Sequence, residues 1–124
     1  MSEERIKVFA AMAEAQPREP MVWYGLANEY TKLGRWREAA DALRRVVELN
    51  ADYTSAYQLL GTALTNLGER EEARRAWERG VETATRTGAW KARQHMERLL
   101  ADAQGANDAG GLCIDEGGGS GSSK

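Results

Sequence analysis

The chain is similar to itself at a spacing of 34 residues, and that period limits it to a stack of like modules. Trp23 falls on Tyr57, Leu26 on Leu60, Ala27 on Gly61 and Tyr30 on Leu64. Leu33-Gly34 falls on Leu67-Gly68, Ala39 on Ala73, Leu43 on Trp77 and Val47 on Val81. The same shift carries Phe9 to Leu43 and Met12 to Val46, so residues 3–16 read as the second half of an earlier module whose first half is absent. Beyond Thr87 the register drifts. A shift of 35 sets Ala92 on Tyr57, Met96 on Gly61 and Leu99 on Leu64, whereas 34 sets polar Lys91 on the aromatic position. The pattern therefore predicts a one-residue insertion within 85–89.

Each module reads as two helices. Residues 23, 26, 27, 30 and 33 follow the i, i+3, i+4, i+7 spacing of an apolar helix stripe, and 39, 43, 46, 47 and 50 resume it after a break. The break is Gly34, then Gly68, where glycine ends a helix by turning left-handed at little cost. Six helices are predicted, over 3–15, 20–33, 37–49, 54–67, 71–83 and 89–103. The fold class is all-α, with a helical domain over 1–104 made of the half-repeat 3–16, repeats 20–53 and 54–87, and a capping helix 89–103. The segment 105–124, rich in Gly and Ser, predicts a disordered tail.

The residues on this period resemble the tetratricopeptide repeat family, in a small bacterial-type form. The first full repeat carries the family pattern at Trp23, Leu26, Tyr30, Gly34, Ala39 and Leu43, and the second at Tyr57, Leu60, Gly61, Gly68, Ala73 and Trp77. It departs from the pattern at Ala27, Ala51, Leu64 and Thr85. The resemblance implies a right-handed superhelical stack of antiparallel helix hairpins with a concave face that binds a peptide or protein segment. The first helix of each hairpin would line that face. Its groove positions hold Met21, Tyr24, Asn28, Thr31 and Lys32 in the first repeat, Ser55, Gln58, Thr62, Thr65 and Asn66 in the second, and Trp90, Arg93 and Glu97 in the last helix.

That set suits an extended peptide. Asn28, Gln58 and Asn66 each donate and accept hydrogen bonds, Tyr24 and Trp90 supply apolar area with a polar edge, and Lys32 and Arg93 match a carboxylate. The clamp by which some family members hold a C-terminal carboxylate uses Lys, Asn, Asn, Lys and Arg. Its positions here hold Tyr24, Asn28 and Leu59, then Ala89 and Arg93 at the shift of 34 or Trp90 and Gln94 at 35, so at best two of five match and that clamp is not expected.

Composition narrows the function classes. A net charge of −2 over 124 residues gives no field for nucleic acid or anionic lipid. Charges at Glu3, Glu4, Arg5 and Lys7 break any apolar signal core, no run suits a membrane span, and a cytoplasmic protein is expected. Cys113 is the sole cysteine, and His95, the sole histidine, reads as a packing residue in the cap. With no nucleophile–base pair and no metal-ligand spacing, an enzyme, a metal and a cofactor are not expected. A scaffold or adaptor binding a protein or peptide is the leading reading. The alternative is structural: terminal hairpins stacking on another copy to form a weak homodimer.

Overall fold

Each hairpin closes at a glycine. Gly34 and Gly68 sit at φ +72° and +82°, where any larger residue would crowd the following carbonyl. At the first, Gly34 N donates to Thr31 O at 3.1 Å and Arg35 N to Tyr30 O at 2.9 Å, satisfying carbonyls the helix leaves open. The second repeats this, with Gly68 N to Thr65 O at 3.0 Å and Glu69 N to Leu64 O at 2.9 Å.

The computed structural model describes residues 2–115, with side chains over 3–103. Among the described residues it holds six helices and no strand: α1 (Ser2–Ala15), α2 (Pro20–Lys32), α3 (Trp36–Leu49), α4 (Thr54–Asn66), α5 (Arg70–Thr87) and α6 (Trp90–Asp115). Each helix packs on its neighbours in sequence, so α2 with α3 and α4 with α5 are the two complete hairpins. This is the all-α repeat stack that the period predicts.

The two ends of the stack show which face of each helix meets which neighbour. Ala39, Ala42 and Val46 of α3, and Ala73 and Ala76 of α5, are buried. Their counterparts in α1 are Arg5, Val8 and Met12, all exposed. These positions therefore face the preceding helix, which α1 lacks among the described residues. Likewise Tyr57 and Gly61 of α4 are buried while their counterparts in α6, Arg93 and Glu97, are exposed. Those positions face the following helix. The packing is close: a Cβ at Gly61 would overlap the Trp77 indole, and one at Gly80 would overlap the Met96 sulfur.

The structure corrects the register of the last helix. α4 starts at Thr54 and α6 at Trp90, a shift of 36 (90 minus 54), so the insertion is two residues and not one. It arises because α5 continues to Thr87 and ends at Gly88, φ +82°, past the predicted end at 83. Ala92, Met96, Leu99 and Ala103 then pack where Ala56, Leu60, Ala63 and Leu67 pack in α4, and Met96 is 0% exposed. His95 is exposed, against the packing role predicted for it, because Met96 takes the core position.

Helical backbone also extends to Asp115, into the segment 105–124 predicted as a tail. Ala101, Ala103, Ala106 and Ala109 favour it, and the glycines there weaken a helix without the steric break a proline imposes. Residues 116–124 of that tail lie outside the described residues.

Ion pairs join consecutive modules. Arg35 meets Glu3 at 3.1 Å, Arg37 meets Glu69 at 2.6 Å, Arg44 meets Glu72 at 3.4 Å and Arg86 meets Asp52 at 2.6 Å. The Arg37 hydrogen bond, foremost, holds the Glu69 carboxyl below the usual carboxylate range. A carboxylate lowered in the folded state contributes stability above its unfolded pKa and loses it as pH falls through the folded value.

Two predictions follow from this packing. Gly61→Ala gains about 1 kcal/mol of helix preference but drives a methyl into a rigid ring, at a cost of about 2–3 kcal/mol. A lower urea midpoint is expected, by about 1–2 kcal/mol of stability; an unchanged midpoint would show that Trp77 moves aside freely. Arg37→Ala should raise the Glu69 pKa toward that of an ordinary glutamate, read by NMR titration of the side-chain carboxyl.

Candidate functional site

Two of the three faces of α2 are committed to packing. Val22, Leu26 and Glu29 are buried toward α1, and Ala27, with half-buried Trp23 and Tyr30, packs toward α3. The third face carries Met21, Tyr24, Asn28, Thr31 and Lys32. In α4 the corresponding face carries Ser55, Gln58, Thr62, Thr65 and Asn66. Because α4 also touches α6 directly, this third face continues onto the last helix. Tyr24, Asn28, Thr31, Lys32, Gln58, Thr62 and Asn66 thus fall at equivalent positions of neighbouring helices.

In α6 the two-residue insertion changes which residues hold those positions. They are Lys91, Gln94, Arg98, Ala101 and Asp102, all exposed. Arg93 occupies instead the position of Trp23 and Tyr57, on the face turned away from α5, where its Nε lies 3.1 Å from Glu97 Oε2. Trp90 is the first residue of α6 and is 59% exposed, the place of Pro20 and Thr54 in the earlier helices. The observed register also places Lys91 and His95 at the last two clamp positions, so Asn28 and Lys91 match that clamp while Tyr24 and Leu59 do not.

The hydrogen-bonding capacity of the face is uneven. Thr31 Oγ1 donates to Asn28 O at 2.7 Å, Thr62 Oγ1 to Gln58 O at 3.3 Å and Thr65 Oγ1 to Gly61 O at 2.9 Å. Asn66 Nδ2 donates to Thr62 O at 2.9 Å. These groups spend a donor on their own helix and keep acceptors outward. The Asn28 and Gln58 amides make no side-chain hydrogen bond among the described residues, so donor and acceptor both stand ready. Lys32 is not a free cation: its Nζ lies 3.3 Å from Glu29 Oε2. The other oxygen of Glu29 is buried and finds no partner among the described residues.

Sequence reasoning missed Tyr53. It comes from the loop before α4 and stacks on Tyr24, centroids 5.1 Å apart and planes at 34°, and burial pushes its phenol above the ordinary value. Its counterpart in the first module is Glu19, so the repeat carries no sign of it. A cavity of about 320 Å³ opens where α4, α5 and α6 meet, with Ala73, Trp77, Leu99 and Ala103 in its wall and Thr65, Arg70, Glu71, Arg74 and Asp102 around them. Among the described residues no group of His, Cys, Asp or Glu could hold a metal ion, and no helix is long and apolar enough to cross a membrane.

Comparison with known proteins agrees with this architecture. Two models of the tetratricopeptide repeat match, over residues 20–53 and 54–84. A TPR repeat-containing protein of Pseudomonas aeruginosa is 37% identical over 77 residues, which are 62% of this chain and 73% of that protein. The small glutamine-rich tetratricopeptide repeat-containing protein 2 of Mycosarcoma maydis is 27% identical over 77 residues, and the chain spans 22% of its length. Among solved structures, the TPR2B domain of yeast Sti1 in its pHsp70 complex superposes with a TM-score of 0.79 at 16% identity, covering 85% of this chain and 84% of that one. A tetratricopeptide repeat domain protein of Salinibacter ruber gives 0.66 at 26%, covering 70% and 97%. With the repeat residues, the hairpin geometry and these relatives in agreement, the chain belongs to the tetratricopeptide repeat family, whose repeats are protein-interaction modules.

Proposed function

We propose that this chain is an adaptor that binds an extended peptide segment of another protein across the third face of α2, α4 and α6. The observation that carries the reading is the pair of uncommitted amides, Asn28 and Gln58, at neighbouring positions on adjacent helices. An extended peptide presents N–H and C=O groups in alternation, and an amide side chain answers either. The stacked pair Tyr24 and Tyr53 beside them offers a rigid apolar anchor. Lys91 and Arg98, exposed on α6, favour an acidic residue of the peptide near the start of that helix, before Asp102 one turn beyond Arg98. Thr31, Lys32, Thr62 and Asn66 frame the peptide, while Trp90 reaches it from the edge; Arg93 is dropped from the set because it faces the end of the stack. A relative in structure, yeast Sti1, has its TPR2B domain in complex with pHsp70, which is the mode of use supposed here.

The test starts from peptides selected against this domain by display. Amide shifts on binding should concentrate on residues of the third face, and Asn28→Ala with Gln58→Ala should leave helicity intact and weaken binding by about 1–3 kcal/mol in titration calorimetry. Shifts confined to α3 and α5, or full affinity in the double variant, would reject the assignment.

A further inference from the structure

The two ends of the stack expose the faces that elsewhere close a hairpin, and their chemistry is opposite and complementary. At one end, Val8 and Met12 of α1 are 58% and 41% exposed, whereas their counterparts Ala42 and Val46 are 5% and 0% exposed beneath α2. Arg5 adjoins them on the same stripe, where Ala39 and Ala73 stand in the complete hairpins. At the other end, α6 exposes Arg93 and Glu97, with half-buried Leu100 continuing the row.

We propose that copies of this chain stack head to tail, α6 of one copy covering α1 of the next to form a hairpin from two chains. The intramolecular hairpin α4–α5 gives the register. Gly61 lies against Trp77, and Tyr57 against Gly80. Carried to the ends, Glu97 comes opposite the Phe9 position, whose ring packs on Gly25 of its own α2 and not on the incoming helix, one turn from Arg5, and Arg93 comes opposite Met12. Glu97 exchanges its 3.1 Å contact with Arg93 of its own helix for the Arg5 guanidinium of the next copy. Arg93 lays its aliphatic stem over Met12 and points its charge at the carbonyl end of α1, where a cation is favoured. Two positions that are small in both complete hairpins are here a carboxylate and a guanidinium of opposite charge, so the two helices pair across a wider gap than the seam within a chain.

The contact joins unlike surfaces and so does not close on itself, which makes it a chain-forming contact and not a two-fold dimer. It is small, and at the counterpart of the Arg44–Glu72 pair it brings Glu78 toward Glu4. Association is therefore weak and salt-sensitive.

Sedimentation velocity over a concentration series at low salt tests this. The chain should associate reversibly, and Val8→Asp or Glu97→Arg should each weaken association about tenfold or more while circular dichroism stays unchanged. Arg5→Glu with Glu97→Arg should restore it, since the pair is reversed and not lost. An equimolar mixture of Val8→Asp and Glu97→Arg should form a one-to-one complex that grows no further, because each variant keeps one good end. A chain that stays monomeric at every concentration, a double variant that does not recover, or a mixture that does not pair would overturn the proposal.

Discussion

Close approach of helices at small residues is the constraint on which the rest of this structure depends. Ala27 against α3 and Gly61 against Trp77 let two helices come near enough for one hairpin to share a seam. Gly80, touching both Tyr57 and Met96, does the same for the next helix along. A larger residue at these points would hold the helices apart and strip dispersion contacts from every neighbour in the seam. The seam also explains why no single hairpin stands alone: each inner helix buries one stripe forward and another backward, and both need a partner.

Most of the fold was legible because burial recurs. Trp23, Leu26, Ala27 and Tyr30 meet the same surroundings as Tyr57, Leu60, Gly61 and Leu64, so the sequence repeats wherever the environment does. The last helix broke this rule for a physical reason. A helix with partners on both sides shows two apolar stripes, but α6 has one, and Arg93 and Glu97 stand where the other would be. With half the signal gone, Ala92, Met96 and Leu99 match the pattern nearly as well at a shift of 35 as at 36. The candidate site was legible to the same extent. On α2 and α4 the exposed face follows from the core positions, whereas Lys91 and Arg98 were missed with the register, and Tyr53 because loops lie outside the periodicity.

The ion pairs between modules add a second kind of specificity. Glu3 and Arg37 occupy equivalent positions, as do Arg35 and Glu69. Glu3 pairs with Arg35 at one junction and Arg37 with Glu69 at the next, so the polarity is reversed from junction to junction. Each pair is exposed and contributes little to stability. A slip by one whole module, which keeps the apolar stripes in register, would set Glu3 against Glu69. Like charges then oppose an error that the greasy seam tolerates, which matters in a fold whose modules resemble one another.

Packing therefore dictates two faces of each first helix and leaves the third unconstrained, and the residues found there are what separates this stack from others built on the same seam. On α2 and α4 that face is uncharged apart from Lys32, which is tied to Glu29; on α6 it becomes charged, with Lys91 and Arg98 followed by Asp102. The graded character cannot come from the core, since Leu26, Leu60 and Met96 beneath it are alike. It follows that the surface chemistry varies along the stack while the support stays constant: amides and hydroxyls stand outward on α2 and α4, and charges of both signs on α6.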